Sequence, residues 1–212
     1  LISINIVHFD LKVQNILFSI DKNIPLMIDF GLSIPVQQLT IDNADKWFYD
    51  YIPEYYIWPP EVHLLCYALK YSDTPLTVEI TNKIALECMT NNYVLSLFSP
   101  SLREKLLDSC KNSLAIYANK SLQQVIDSVM QHYTTWDNYS LSVLYLTIFK
   151  SIFPQGFKYN TFLISFTQLL LMNLSPNTDK RLSLQETRQS YEITFYMENT
   201  IANFSTLVQD LF

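Results

Sequence analysis

Glycine is almost missing from this chain: among 212 residues there are 2, Gly31 and Gly156. A loop that cradles phosphate with its backbone needs several glycines within a few positions, so no such loop is encoded here. Cysteine is nearly as scarce, and the 3 thiols, Cys66, Cys88 and Cys110, follow one another at intervals of twenty-two residues with no C-x-x-C pair. An odd count of distant cysteines, with no secretory signal pattern ahead of them, excludes a disulfide framework. It reads as reduced, cytoplasmic thiols packed as small apolar residues. His8, His63 and His132 are too scattered for a metal site, and the last two read as ordinary helix residues. Charge is sparse as well, at 16% of residues with a net charge of −6 and no basic run, which excludes nucleic acid as the main partner. Apolar runs are too short for a membrane. The most apolar, Phe162 to Met172, has 11 residues with Thr167 and Gln168 inside it, against the roughly 20 that a helix needs to span a bilayer.

What is abundant is apolar and aromatic material. With 49% hydrophobic and 14% aromatic residues the chain can build a sizeable core, and its length allows one or two domains. Its chemistry is concentrated near the start, where His8-Phe9-Asp10-Leu11-Lys12-Val13-Gln14-Asn15 is followed by Met27-Ile28-Asp29-Phe30-Gly31. A phosphoryl group in transfer spreads negative charge over its oxygens, so a protein mainly positions it and neutralises it, using hard cations held by oxygen ligands. Asn15 and Asp29 supply such oxygens. Asp10, kept off the metal, can take the hydrogen bond of an attacking hydroxyl, and Lys12 can meet the phosphate as a point charge. The apolar runs Asn15 to Ile20 and Pro25 to Ile28, on either side of Asp21-Lys22-Asn23, predict a small hairpin that holds these groups in register.

The pattern His-x-Asp-Leu-Lys-x-x-Asn, with Asp-Phe-Gly beginning fourteen residues past the Asn, resembles the catalytic and metal loops of eukaryotic-type protein kinases. Trp58-Pro59-Pro60-Glu61 resembles the Ala-Pro-Glu that closes their activation segment, with Glu61 thirty residues past Gly31. Trp136-Asp137-Asn138-Tyr139-Ser140-Leu141-Ser142-Val143-Leu144 is similar to the start of the family's central buried helix, and Asp179-Lys180-Arg181-Leu182-Ser183 to its late arginine turn. The His-Phe-Asp-Leu-Lys loop and the aromatic-rich composition also resemble kinases of large DNA viruses. The resemblance implies that Asp10 is the catalytic base and Lys12 the γ-phosphate contact, that Asn15 and Asp29 hold Mg²⁺, and that Leu17 floors the adenine of ATP. It implies structural roles for His8, Phe30 and Gly31. Asp137 should hold backbone N–H groups of the catalytic loop, and Glu61 and Arg181 should form a buried ion pair. Lys12 points to Ser/Thr rather than Tyr acceptors.

Several positions depart from the family. Phe9 stands where many members have the Arg that pairs with a phosphorylated activation loop, which argues against that mode of control. Pro59 and Ile57 replace the usual Ala and Tyr, and Glu54 occupies the place of a Thr near the base. Leu1 is only seven residues before His8, so the glycine-rich loop, strand lysine and helix glutamate of the family's small lobe are not encoded. The fragment alone is therefore expected to be inactive, with its N-lobe missing in cis.

The rest of the chain divides accordingly. Residues 1–61 would hold the catalytic loop, metal loop and activation segment. The part from Ser33 to Tyr56 is polar at first and then crowded with Trp47, Phe48, Tyr49, Tyr51, Tyr55 and Tyr56, read mainly as packing against the lobe, with a self-docked segment that occludes or shapes the substrate groove as the alternative. Seventy-five residues then separate Glu61 from Asp137, so 62–136 reads as a helical insertion that could carry a protein partner. Its apolar periodicity runs through Ile80, Ile84, Leu86 and Met89, then Leu102, Leu106, Leu107, Cys110 and Leu114, then Leu122, Val125, Ile126 and Val129. Ser99-Pro100-Ser101 with Glu104 is the stronger helix start and Ser121 the weaker. Residues 137–212 would supply the core helices: a buried one ended by Pro154-Gln155-Gly156, a core helix from Thr161 to Leu174, and one or two closing helices after Leu184.

The expected fold is thus α+β, predominantly α: a kinase-like large C-terminal lobe with a β-hairpin at the catalytic loop and a helical insertion. The expected function is a cytoplasmic Ser/Thr protein kinase acting on a protein substrate, in the host cytoplasm or virion if the source is viral. Two other readings stay open, a pseudokinase scaffold and a small-molecule hydroxyl kinase.

Overall fold

The computed structural model describes residues 1–48, 50–156 and 160–197. Tyr49 of the aromatic segment, and any closing helix beyond residue 197, lie outside the described residues. The chain forms a mostly helical α+β fold with two small antiparallel two-stranded sheets. Strands β1 (Ile6–Val7) and β4 (Ile34–Pro35) pair with Val7 opposite Ile34, and so close a loop around everything between them. Within that loop, β2 (Ile16–Ser19) and β3 (Ile24–Met27) form the hairpin, with Ile16 opposite Met27. Its turn ends at Asn23, whose φ of 52° is a left-handed value that Asn tolerates better than most residues.

Among the described residues seven α-helices follow: α1 (Pro60–Lys70), α2 (Val78–Asn91), α3 (Pro100–Ala115), α4 (Leu122–Met130), α5 (Trp136–Ile152), α6 (Thr161–Asn173) and α7 (Leu184–Met197). The segment boundaries expected from the sequence fall within α1 and α5. Helices α1 to α4 share one apolar core with Val7, Phe9, Ile34 and Trp58, so the segment 62–136 packs directly beneath the N-terminal turn. A second core joins α5 and α6 through Tyr139, Val143, Leu146, Phe162, Leu163 and Leu170. Among the described residues, no helix is long and apolar enough to cross a membrane.

Local chemistry explains most helix starts, with some corrections. α3 is capped by Ser99, which accepts from the Leu102 N–H at 3.3 Å, while Pro100 sits in the first turn where its missing N–H costs nothing. Ser121, the start expected to be weaker, makes the full reciprocal box. Its hydroxyl accepts from the Gln124 N–H at 3.3 Å and Gln124 Oε1 accepts from its own N–H at 3.0 Å. In α2 the buried stripe runs through Thr81, Ile84, Ala85 and Cys88, and Leu86 is 49% exposed, because a helix turns 100° per residue and the larger side chain falls on the outer face. His132 is not helical but lies in the turn before α5, where its ring meets the Thr178 hydroxyl at 3.2 Å. The three thiols are buried as expected, and burial pushes Cys66 up to about 12 and Cys88 and Cys110 upward as well, so they are unreactive at neutral pH.

Two polar devices join the layers. Asn138, Ser142, Asn173 and Thr187 form a ring of hydrogen bonds of 2.8 to 3.1 Å that ties α5, α6 and α7 together. The Arg181 guanidinium, 5% exposed, holds both Glu61 carboxylate oxygens at 2.6 and 3.1 Å, and also donates to the Ser175 carbonyl and the Thr135 hydroxyl. With its donors engaged, this pair is the favourable kind of buried ion pair, and removing one partner strands a charge in the core. Glu61→Ala should therefore lower stability by about 3 to 5 kcal/mol in urea titrations. A loss under about 1 kcal/mol, typical of an exposed pair, would contradict the assigned burial.

Candidate active site

The site is built on the chain that enters and leaves β1. At Phe9 the backbone adopts φ 67°, a left-handed value costly for a bulky residue. Two contacts hold it there. The Asp137 carboxylate, in the first turn of α5, accepts the N–H of His8 at 2.8 Å and of Phe9 at 3.0 Å. The Trp58 indole donates to the Phe9 carbonyl at 2.7 Å while its ring stacks on Phe9 at 4.5 Å. Phe48 and Trp136 close the remaining sides of the Phe9 ring, which is 2% exposed. Phe9 thus points into the core, and the following residue, Asp10, is turned the other way. Burial pushes the Asp137 carboxyl above its ordinary range, and the two backbone N–H groups oppose that shift.

Asp10 is 4% exposed and well furnished. Its Oδ2 accepts from Lys12 Nζ at 2.9 Å and from Asn15 Nδ2 at 2.8 Å, and the Asn15 amide also donates to the Asp10 carbonyl at 2.9 Å. Its Oδ1 accepts the hydroxyl of Tyr55. Because the Asn15 nitrogen is committed to Asp10, the amide oxygen is the end left to bind a cation. The Ile28 N–H donates to the Asn15 carbonyl at 2.9 Å and continues the β2–β3 ladder by one bond, which brings the residue before Asp29 alongside Asn15. Asp29 has φ 61° and an exposed side chain whose Oδ1 accepts the Gly31 N–H at 3.3 Å. A Cβ on residue 31 would lie 3.2 Å from that oxygen, which is why glycine suits the position.

His8 and Phe30 support this turn from below. The His8 ring meets the Ile28 carbonyl at 3.1 Å, and its centroid lies 4.8 Å from that of Phe30. The Ser33 hydroxyl donates to the His8 carbonyl at 3.2 Å. Asp10, Lys12 and Asn15 thus form one hydrogen-bonded cluster, and the backbone bond between Asn15 and Ile28 places Asp29 beside it. Leu17 lies outside the cluster on the hairpin face, 53% exposed, next to Leu26 and Met27. Glu61 and Arg181 support the site from a distance, and Asp137 by direct contact with its backbone. Among the described residues no three His, Cys, Asp or Glu side chains group as a metal site. An amide and one carboxylate are nonetheless oxygen donors of the type Mg²⁺ accepts while keeping several waters, so Asn15 and Asp29 fit that ion.

Three contacts around the cluster were not singled out from the sequence: Tyr55 on Asp10, Trp58 on the Phe9 carbonyl, and Ser33 on the His8 carbonyl. The available signal was compositional. An aromatic ring at position 9 beside a segment crowded with aromatics implies that they stack, but not which hydroxyl reaches which oxygen.

The Tyr55–Trp58 turn rests on His63, in α1. The His63 ring is 1% exposed, packs against Tyr51 and Trp58, and has no partner at Nδ1 among the described residues. Burial pushes its pKa down to about 4, opposed by backbone groups of Tyr55 and Trp58. In the unfolded chain an ordinary histidine titrates near 6.5. The unfolded state therefore takes the proton first as pH falls. The stability is fully present above about 6.5 and is lost progressively down to about 4, by roughly 3 kcal/mol in total. Chemical denaturation at a series of pH values should show this loss in the wild type and a flatter profile in His63→Leu. Parallel profiles would rule the assignment out.

No protein-family model, curated protein or solved structure matches this chain.

Proposed function

We propose that the chain is the large lobe of a serine/threonine protein kinase, which in the full-length gene product transfers the γ-phosphoryl group of ATP to a protein hydroxyl in the cytoplasm. The observation that carries the reading is the clamp of Asp137 on the N–H groups of His8 and Phe9, because it turns Asp10 into one cluster with Lys12 and Asn15. A fixed carboxylate, an ammonium and two further oxygen donors on adjoining turns form the set that phosphoryl transfer calls for.

In this reading Asp10 accepts the hydrogen bond of the attacking hydroxyl and takes its proton as the new O–P bond forms and the bond from the γ-phosphorus to the bridging oxygen breaks, with ADP leaving. Lys12, already 2.9 Å from Asp10, meets the charge on the transferred group and holds the carboxylate oriented. Asn15 and Asp29 would hold Mg²⁺, which when bound neutralises phosphate charge. Leu17 and Leu26, cross-strand partners 53% and 41% exposed, present an apolar face suited to a flat ring such as adenine. Such a face needs a cover, and the small lobe of a kinase would supply it.

The test is incubation of the full-length gene product with labelled ATP, Mg²⁺ and either a protein substrate or small alcohols. Label is expected in protein Ser and Thr. Asp10→Asn should lower kcat by about 10² to 10⁴, and Asp29→Asn should abolish metal-dependent turnover. The chain of residues 1–212 alone should give no measurable transfer. Label in the small alcohols only, unchanged turnover in Asp29→Asn, or transfer by the 1–212 chain would each contradict the reading.

A further inference from the structure

The Asp10 carboxylate is already engaged on both oxygens. Lys12 and Asn15 hold Oδ2, at 2.9 and 2.8 Å, and the Tyr55 hydroxyl donates to Oδ1. With Asp10 only 4% exposed, the phenol covers the oxygen that Lys12 and Asn15 leave. Tyr55 is keyed to that place by its ring, which stands edge-on to Trp58 at 4.8 Å between centroids, and the Lys12 ammonium lies 5.8 Å from its centre. Its backbone belongs to the turn in which the Tyr55 N–H donates to Ile52 and the Trp58 N–H donates to Tyr55, at 2.9 and 3.1 Å. Trp58 in turn holds Phe9, so the phenol and the base are positioned by the same stack.

A hydroxyl donating to the base beside the lysine is the arrangement expected of an acceptor about to be phosphorylated. We propose that the space at Asp10 Oδ1 is the acceptor-hydroxyl subsite and that Tyr55 is its resident occupant, which a substrate hydroxyl must displace. The proposal rests on the reading of Asp10 as the base. It goes further in naming a residue that competes with the protein substrate, a role no other contact of the site supplies. Orienting the carboxylate does not require the phenol, since Lys12 and Asn15 already fix it. The apparent affinity for a substrate is reduced by the fraction of molecules in which the subsite is open. A hydrogen bond to an ionised carboxylate shifts that fraction by roughly tenfold to a hundredfold.

Competition at the acceptor subsite has a kinetic signature that mere support of the base does not share. In the full-length gene product, with MgATP and a degenerate Ser/Thr peptide mixture, Tyr55→Phe keeps the ring and removes the hydroxyl. It should lower the peptide KM about tenfold or more, leaving kcat and the KM for ATP unchanged. Tyr55→Leu, which also removes the ring, should act in the same direction and serves if the first variant folds poorly. A fall in kcat would make Tyr55 a positioning residue, and an unchanged peptide KM would leave it without effect at the subsite; either overturns the inference while MgATP still binds. If the wild type binds no MgATP, the reading of Asp10 fails and the inference falls with it.

Discussion

A single carboxylate at the start of the central helix sets the geometry of the N-terminal turn. Asp137 accepts two consecutive N–H groups, those of His8 and Phe9, across 129 and 128 positions of sequence. Immediately after these two N–H groups the backbone turns through the left-handed φ of Phe9, which redirects the chain that follows the clamp. A left-handed conformation at a bulky residue costs on the order of 1 to 3 kcal/mol, so it persists where the surroundings over-determine it. Here the carboxylate fixes one side of Phe9, the Trp58 indole fixes its carbonyl, and the ring fills an aromatic box. The clamp and the stack on Phe9 together turn Asp10 away from the core.

The large distances in sequence explain the bulk of the chain. Asp137 is held in place because α5 is packed on α6 and tied to α7 through the ring of Asn138, Ser142, Asn173 and Thr187. The other wall, with Trp58, is held by the Glu61–Arg181 pair and by the core shared among α1 to α4. Both walls are more stable objects than the hairpin between them. The hairpin carries the exposed side chains Leu17, Phe18, Ile20, Leu26 and Met27, and its contacts are mostly within itself. Polar contacts are thus concentrated around Asp10, and apolar surface is left open on the hairpin.

Much of this arrangement was legible because short-range spacing carries it. Asp10, Lys12 and Asn15 lie within one turn, and alternation around Asp21-Lys22-Asn23 marked the hairpin. The pairings of Asp137 with His8 and Phe9, and of Glu61 with Arg181, were stated from a family resemblance, since neither composition nor periodicity relates residues so far apart. What was missed has the same physical origin. The Tyr55 hydroxyl on Asp10 depends on where a stack of rings comes to rest. Leu86 fell on the outer face because the buried stripe joins Ile84 to Thr81, Ala85 and Cys88, whose small side chains weigh little in a hydrophobic pattern. The reciprocal cap at Ser121 depends on Gln124 bending back rather than outward, a rotamer choice that local sequence permits but does not impose.

In the proposed reading the clamped turn brings the amide oxygen of Asn15 and the carboxylate of Asp29 onto one divalent ion. Mn²⁺ titrated into isotope-labelled chain, followed by paramagnetic broadening of its amide resonances, tests this directly. The expected result is that signals from Asn15, including its side-chain amide, and from Asp29 broaden together at the lowest Mn²⁺, with Asp137→Ala weakening the effect at both. Broadening that begins instead at the exposed acidic residues Asp42 and Asp45, with Asn15 and Asp29 unaffected or responding independently, would contradict it.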